Sequence, residues 1–254
     1  MKKKLLVLSL VVIVTQAVSW GLTGHRVVGQ IAEDHLTRKA KKQLKKIMGD
    51  ESLSDAANWM DFIRSDHSYD YMVTWHYVTI PDGETYATAT RNPKGDLIWA
   101  INHFSAQLRT DTLTRDEARF AVRCLTHLVG DLHQPLHVGN GKDKGGNDVK
   151  INWFWKSSNL HRVWDSQMID DQLLSYTEWV KKLDHLNKEE IAALQSGTVV
   201  DWATESMAMR TSVYDFGDQK NLTYAYNFRH QKQVERQLLK AGIRLAGLFN
   251  NIFR

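Results

Sequence analysis

The sequence predicts a mainly α protein, a single-domain helical bundle with a small β excursion, and three observations lead there. Only three prolines occur in 254 residues, so few segments are barred from helix by a missing N–H or a clashing ring. Apolar residues recur at helical spacing, as in the closing run Leu238, Leu239, Ile243, Leu245, Leu248 and Ile252. No internal repeat or low-complexity linker divides the chain, and the length beyond residue 19 suits one large domain.

The elements follow in order. Thr23 is placed to cap a first helix through His35, with Val28, Ile31 and Ala32 on its apolar side. Residues 37–48 form a basic amphipathic helix closed by Gly49; its lysines 39, 41, 42, 45 and 46 are a solvated face. A third helix starts near Ser54 and carries Trp59, Met60, Asp61 and Ile63. Residues 74–80 set β-branched and aromatic side chains around His76 and stop at Pro81-Asp82-Gly83, which reads as extended chain. Residues 94–109 look helical. Thr114-Arg-Asp-Glu117 is a capping box that opens a long helix through Cys124, His127 and Asp131. A loop rich in glycine and lysine, 139–147, leads to an extended run, 149–155. Ser158 or Asn159 then caps a helix holding His161 and Asp165, and helices dominate to the end, the last over 234–253.

The N-terminal end reads as a secretory signal. Lys2, Lys3 and Lys4 precede a short apolar run, 5–14, and Ala17-Val18-Ser19 offers the small residues a signal peptidase reads. That run is about half of what a membrane span needs, so it predicts cleavage rather than anchoring. The mature chain is expected to begin at Trp20 and to be secreted or periplasmic, with no membrane anchor. The 33 basic and 29 acidic residues become 30 and 29 without the three leader lysines. A balance of +1 excludes a broad basic field for gripping phosphates, so any such charge must be local. Cys124, the single cysteine, excludes an intrachain disulfide and reads as a buried apolar residue.

The chemistry concentrates in His127-Leu-Val-Gly-Asp131-Leu-His133-Gln134-Pro135-Leu-His137 and in Asn159-Leu-His161-Arg-Val-Trp-Asp165. Residues four apart share a helix face, so each His-x-x-x-Asp pair presents an imidazole nitrogen and a carboxylate oxygen to one point. Zinc takes such ligands, and a catalytic zinc keeps a position open. One such pair is weak evidence of a metal. Two pairs, with His137 just beyond the helix end, point to more than one ion. His133 is turned away from that face and reads as structural.

With Asp61 and the histidines 25 and 76, these residues form a pattern that resembles the zinc-dependent S1/P1 nuclease family, of phospholipase C/P1 nuclease fold. The resemblance covers residues 20–254 as one nuclease domain. It is carried by Trp20-Gly-Leu-Thr-Gly-His25, Trp59-Met-Asp61, Trp75-His76-Tyr77, the 127–137 block, Gly145-Gly146-Asn147 and the 159–165 block. It implies three zinc ions. One would be held by Asp61, His76, His127 and Asp131; a second by the α-amino nitrogen and carbonyl oxygen of Trp20 with His25, sharing Asp131; the third by His137, His161 and Asp165. It further implies phosphodiester hydrolysis of single-stranded DNA and RNA to 5′-phosphorylated products, with nucleotides as further substrates through 3′-nucleotidase activity. Arg64 matches a catalytic cationic position that offsets transition-state charge, and Asp131 serves catalysis as the bridging ligand. Tyr77 matches a base-stacking position, and Asn147 a substrate-groove position. Thr79 departs from an aspartate that many members carry, which removes any base preference resting on it. No protein partner is expected. A zinc phospholipase C is a rival, as is a non-catalytic secreted zinc protein. The terminal Asp165 in place of glutamate counts against the first, and the absence of cysteine ligands counts against the second.

Overall fold

The computed structural model describes residues 20–254; the expected leader, residues 1–19, lies outside the described residues. Most of the described chain is helix. Helix α1 (Leu22–Asp34) packs chiefly on the C-terminal helix, and α2 (Arg38–Met48) follows after Thr37, whose hydroxyl accepts the Ala40 N–H. Gly49 ends α2 at a positive φ of 70°, a conformation that glycine adopts without a Cβ clash. Two one-turn helices, α3 (Leu53–Ala56) and α4 (Trp59–Phe62), lead into 3₁₀ turns at Ile63–Ser65 and His67–His76. Strand β1 (Val78–Thr79) comes next, then α5 (Leu97–Gln107), capped by Asp96, and α6 (Arg115–Leu132).

Helix α6 is the centre of the molecule. It packs against α1, α3, α4 and α5, and its second half, from Cys124 to Leu132, is buried on all sides. A 3₁₀ turn at Pro135–His137 delivers the chain to β2 (Val138–Gly139), which pairs parallel with β1. Strands β3 (Lys150–Trp153) and β4 (Lys156–Asn159) form an antiparallel hairpin. One turn of helix, α7 (Leu160–Arg162), passes into a π-helical turn at Val163–Gln167 and then α8 (Met168–Asp170). Helices α9 (Tyr176–Leu183), α10 (Lys188–Leu194), α11 (Val199–Ala208) and α12 (Arg210–Val213) follow. Strand β5 (Asn221–Leu222) runs parallel to β3 and precedes α13 (Tyr224–Ile252). The core between α1, α6 and α13 includes Trp20, Ile31, Leu125, Trp164 and Phe249, all fully buried.

The mainly α expectation holds, with corrections at element ends. Thr23 lies inside the first turn of α1 and is not its cap; Gly21 holds that position without a side-chain bond. The third helix begins one residue before Ser54, because Ser52 accepts the Asp55 N–H and caps it. Residues 74–76 belong to the 3₁₀ run rather than to extended chain, and only Val78–Thr79 is strand. Asn159, not Ser158, caps α7 by accepting the Arg162 N–H at 2.8 Å. Helix α13 starts ten residues earlier than its apolar run indicates.

Candidate metal centre

Six segments of the fold converge on one cluster of histidines and aspartates. His25 comes from α1, Asp61 from α4, His76 from the end of the 3₁₀ run, His127 and Asp131 from α6, and His137 from the turn after it. His161 and Asp165 come from α7 and its π-helical continuation. Their potential ligand atoms fall into three groups: His25, His127 and Asp131; Asp61, His76 and His127; and His137, His161 and Asp165.

Asp131 is the hub. Its Oδ1 lies 3.3 Å from His25 Nε2, while its Oδ2 lies 3.0 Å from His76 Nδ1 and 3.3 Å from His127 Nε2. One imidazole nitrogen has one lone pair and serves one cation, whereas a carboxylate can divide two oxygens between two. Of the residues at the centre of the cluster, Asp131 is therefore the one built to bridge. His127 Nε2 also stands 4.0 Å from Asp61 Oδ1. The third group adjoins the others: His137 Nδ1 donates to the His76 carbonyl at 2.5 Å, and its Nε2 is 3.6 Å from Asp165 Oδ1. His161 Nε2 reaches Asp165 Oδ2 at 2.8 Å.

The imidazoles are aimed by their outer nitrogens. His127 Nδ1 donates to Ala57 O and His161 Nδ1 to Gly145 O, each at 2.7 Å. Such bonds fix the tautomer and leave Nε2 a lone pair facing the cluster. Gly145 earns its place here, since it sits at φ +61° and a Cβ would come 2.3 Å from Leu136 O. Gly130 matters for closeness: a Cβ there would meet His25 Nδ1 at 2.8 Å, so only glycine lets α1 bring His25 this near α6. The His25 and His127 rings then stack at 3.9 Å.

Unprotonated imidazole nitrogens and carboxylate oxygens are all acceptors, and acceptors about 3 Å apart in a dry pocket need a proton or a metal ion between them. Asp131 Oδ1 and His137 Nε2 are buried with no well-formed hydrogen bond among the described residues. The electrostatics express the same demand. Burial pulls His25 and His76 below the usual histidine value. Burial acts likewise on His137, yet Asp131 and Asp165 overcome it and raise that group to about 9. Burial opposes ionisation of Asp131, but His127 and His137 hold it well below the usual carboxylate range. A nitrogen and oxygen donor set without sulfur fits zinc, and the described residues offer three groups of ligand atoms that could each hold an ion.

The start of the described chain is tied into this cluster. Trp20 is fully buried, its indole Nε1 donates to Gly130 O at 2.7 Å, and Gly21 N donates to Asp165 O at 2.7 Å. Trp20 and Gly21 are thereby pinned between α6 and the π-helical turn that carries Asp165. Arg64 lies at the rim with Nη1 3.6 Å from Asp61 Oδ1. Tyr77 follows His76 and is 42% exposed. Asn147 turns its amide inward, donating to Lys144 O at 2.9 Å in its own loop. Lys142 is held by Asp82, and Lys144 by Asp148. His133 is buried away from the cluster. Its Nδ1 donates to Val129 O and its Nε2 accepts from Arg244; burial, then Arg244, lower it to about 3, so it stays neutral. Cys124 is buried on α6 as expected.

One participant has no signal in ligand spacing. Gln134, fully buried, donates through Nε2 to Asp165 Oδ1, while its Oε1 accepts the Leu136 N–H at 2.5 Å. Read from sequence it merely ends a helix before Pro135; its position between His133 and His137 was the available clue.

A family model described as S1/P1 Nuclease matches residues 20–254. Among similar proteins, Endonuclease 5 of Arabidopsis thaliana is 30% identical, over 97% of this chain and 95% of its own length. Endonuclease 4 of the same plant is 29% identical over 97% and 93%, and Nuclease S1 of Aspergillus oryzae is 24% identical over 89% of each. Helical architecture, buried cluster and full-length similarity agree, and the chain belongs to the S1/P1 nuclease family and is a nuclease.

Proposed function

We propose that this protein is a zinc-dependent nuclease with three zinc ions. It hydrolyses phosphodiester bonds of single-stranded DNA and RNA to 5′-phosphorylated products and removes 3′-phosphates from mononucleotides. It acts outside the cytoplasm after cleavage before Trp20. The observation that carries the reading is Asp131, fully buried, with one oxygen facing His25 and the other facing His76 and His127. When bound, zinc supplies Lewis acidity, which makes water acidic enough to attack at neutral pH and offsets charge building on a phosphate.

The chain's own residues do the rest. Asp61, His76, His127 and Asp131 hold one ion; Trp20, His25 and Asp131 the second; His137, His161 and Asp165 the third. Products with a 5′-phosphate require that water attack phosphorus opposite the 3′-oxygen, so that the new P–O bond forms as the P–O3′ bond breaks. Arg64, at the rim beside Asp61, offsets the charge on the non-bridging oxygens. Removing such a contact typically costs about 3 kcal/mol in turnover. Tyr77 offers an exposed ring on which a base stacks, worth roughly 1–3 kcal/mol and tolerant of sequence. Asn147, whose amide donates to Lys144 O within its own loop, would meet the substrate as the family resemblance implies.

The deciding experiment compares purified mature protein on single-stranded and duplex DNA of one sequence and on phosphatidylcholine, with end-group analysis of the products. Preferential cutting of the single strand with 5′-phosphate ends is expected. Equal rates on duplex, 3′-phosphate ends, or hydrolysis of the lipid alone would overturn the reading.

A further inference from the structure

Beside the metal centre lies a second feature that the chemistry above leaves unused. Leu97 N donates to Tyr77 O at 3.1 Å, and Trp75 Nε1 donates to Lys94 O at 3.0 Å. Residues 94–97 are thereby stitched to the segment that carries His76. They border a cavity of about 340 Å³ whose walls include Tyr86, Arg91, Asn92, Lys94 and Trp99.

The charge at this cavity is positive and available. Arg91 and Lys94 are exposed. Lys142 and Arg210 are both engaged by Asp82, whereas Arg91 and Lys94 enter no ion pair among the described residues. The Arg91 guanidinium lies 3.8 Å from the centre of the Tyr86 ring, a contact that places it without neutralising it. The one carboxylate in the wall, Asp96, is 4% exposed. It is committed inward, accepting the Tyr86 hydroxyl at 3.1 Å and the Trp99 N–H at 2.9 Å. A guanidinium presents a fork to phosphate oxygens and an ammonium adds a point charge. A mature chain of net charge about +1 has no broad field, so local cations must hold a polyanion.

We propose that this cavity is a subsite for a backbone phosphate of a single-stranded nucleic acid, beyond the nucleotide that sits at Tyr77. The inference rests on the nuclease reading and deepens it, because it makes the site favour a chain over a dinucleotide. Arg91 and Lys94 bind the phosphodiester; neither takes part in bond breaking.

The test is the double variant Arg91→Ala/Lys94→Ala, both exposed positions, assayed on a dinucleotide and on a single strand of about twelve nucleotides. KM for the strand should rise about fivefold at low salt with kcat unchanged, and its salt dependence should flatten by about 0.7 in log–log slope, as for one neutralised phosphate of a single strand. KM for the dinucleotide should stay the same. Anisotropy of a labelled phosphorothioate strand makes the comparison without turnover. Unchanged affinity for the strand, or an equal loss on both substrates, would overturn the subsite. If the wild type turned over neither substrate, the nuclease reading would fall. Weaker phosphorothioate binding by the variant would then still support the subsite.

Discussion

Asp131 and Asp165 are both fully buried carboxylates one turn beyond a histidine, yet their surroundings assign them different work. Asp131 faces three imidazoles with two oxygens, whereas Asp165 shares its oxygens between His161, His137 and Gln134. Asp131→Asn should therefore lower zinc content at two positions, and Asp165→Asn at one, as measured by metal analysis of the purified variants. Equal stoichiometric losses would mean that Asp131 does not bridge. Gln134 extends the argument from ligands to what aims them. Its amide orientation is dictated, because Oε1 must accept the Leu136 N–H and so Nε2 must face Asp165. Replacing it by Met keeps the volume and deletes that bond. Gln134→Met should weaken binding of one zinc by about 10- to 100-fold while circular dichroism stays unchanged. Undiminished affinity in a chelator titration would show that Asp165 is oriented without it.

Elements were legible where their signals are local. Thr114 and Glu117 form the capping box that the sequence spells, each bonding the other's backbone N–H. Thr114→Ala should cost about 1 kcal/mol, read as a lower midpoint in thermal or denaturant unfolding; no change would mean that α6 is held by its packing alone. The β-branched and aromatic residues of 74–76 spoke for strand, but His76 must meet Asp131 at 3.0 Å and Trp75 must bury against Phe104, so tertiary demands coil the segment. The first ten residues of α13 escaped the pattern because Tyr224 and Phe228 point to solvent while polar His230 points inward. The ligand spacing of His161 and Asp165 was readable, but the π-helical turn between them was not, since nothing local distinguishes it from α-helix. Glu205 shows an element junction that sequence could not reveal. It ties α11 to α13 through Arg244 at 2.8 Å and Lys240 at 2.8 Å. Burial pushes its carboxyl up, but these two cations outweigh burial and hold it at about 2, against an ordinary 4.5. A depressed carboxylate stabilises fully above 4.5 and loses that contribution as pH falls through 2. The stability gap between wild type and Glu205→Gln should thus be constant near neutrality and close between pH 4.5 and 2. A gap that persists to pH 2 would place the effect elsewhere.

For the molecule as a whole, the proposed three-ion centre would be a knot that the chain could tie only once cleavage left an end at Trp20. Before processing, the Trp20 nitrogen is a peptide amide, with its lone pair delocalised and no capacity to bind a metal. Afterwards it is an amine of reference pKa near 8, which a metal can readily deprotonate. The position of that end is set independently of any ion, through Trp20 Nε1 on Gly130 O and Gly21 N on Asp165 O. Those bonds place residue 20 against the carbonyl one residue before the bridging aspartate and against the last ligand of the third group. Signal cleavage would then complete the centre and confine activity to protein that has left the cytoplasm. A mature protein carrying one extra glycine before Trp20 keeps every side chain of the cluster and both anchoring bonds, but displaces the amine. It should fold as the wild type does, bind one zinc fewer and lose most of its activity on single-stranded DNA. Removal of the glycine by an aminopeptidase should restore both. Full metal content and full activity in the extended form would show that the N-terminus is only a structural anchor.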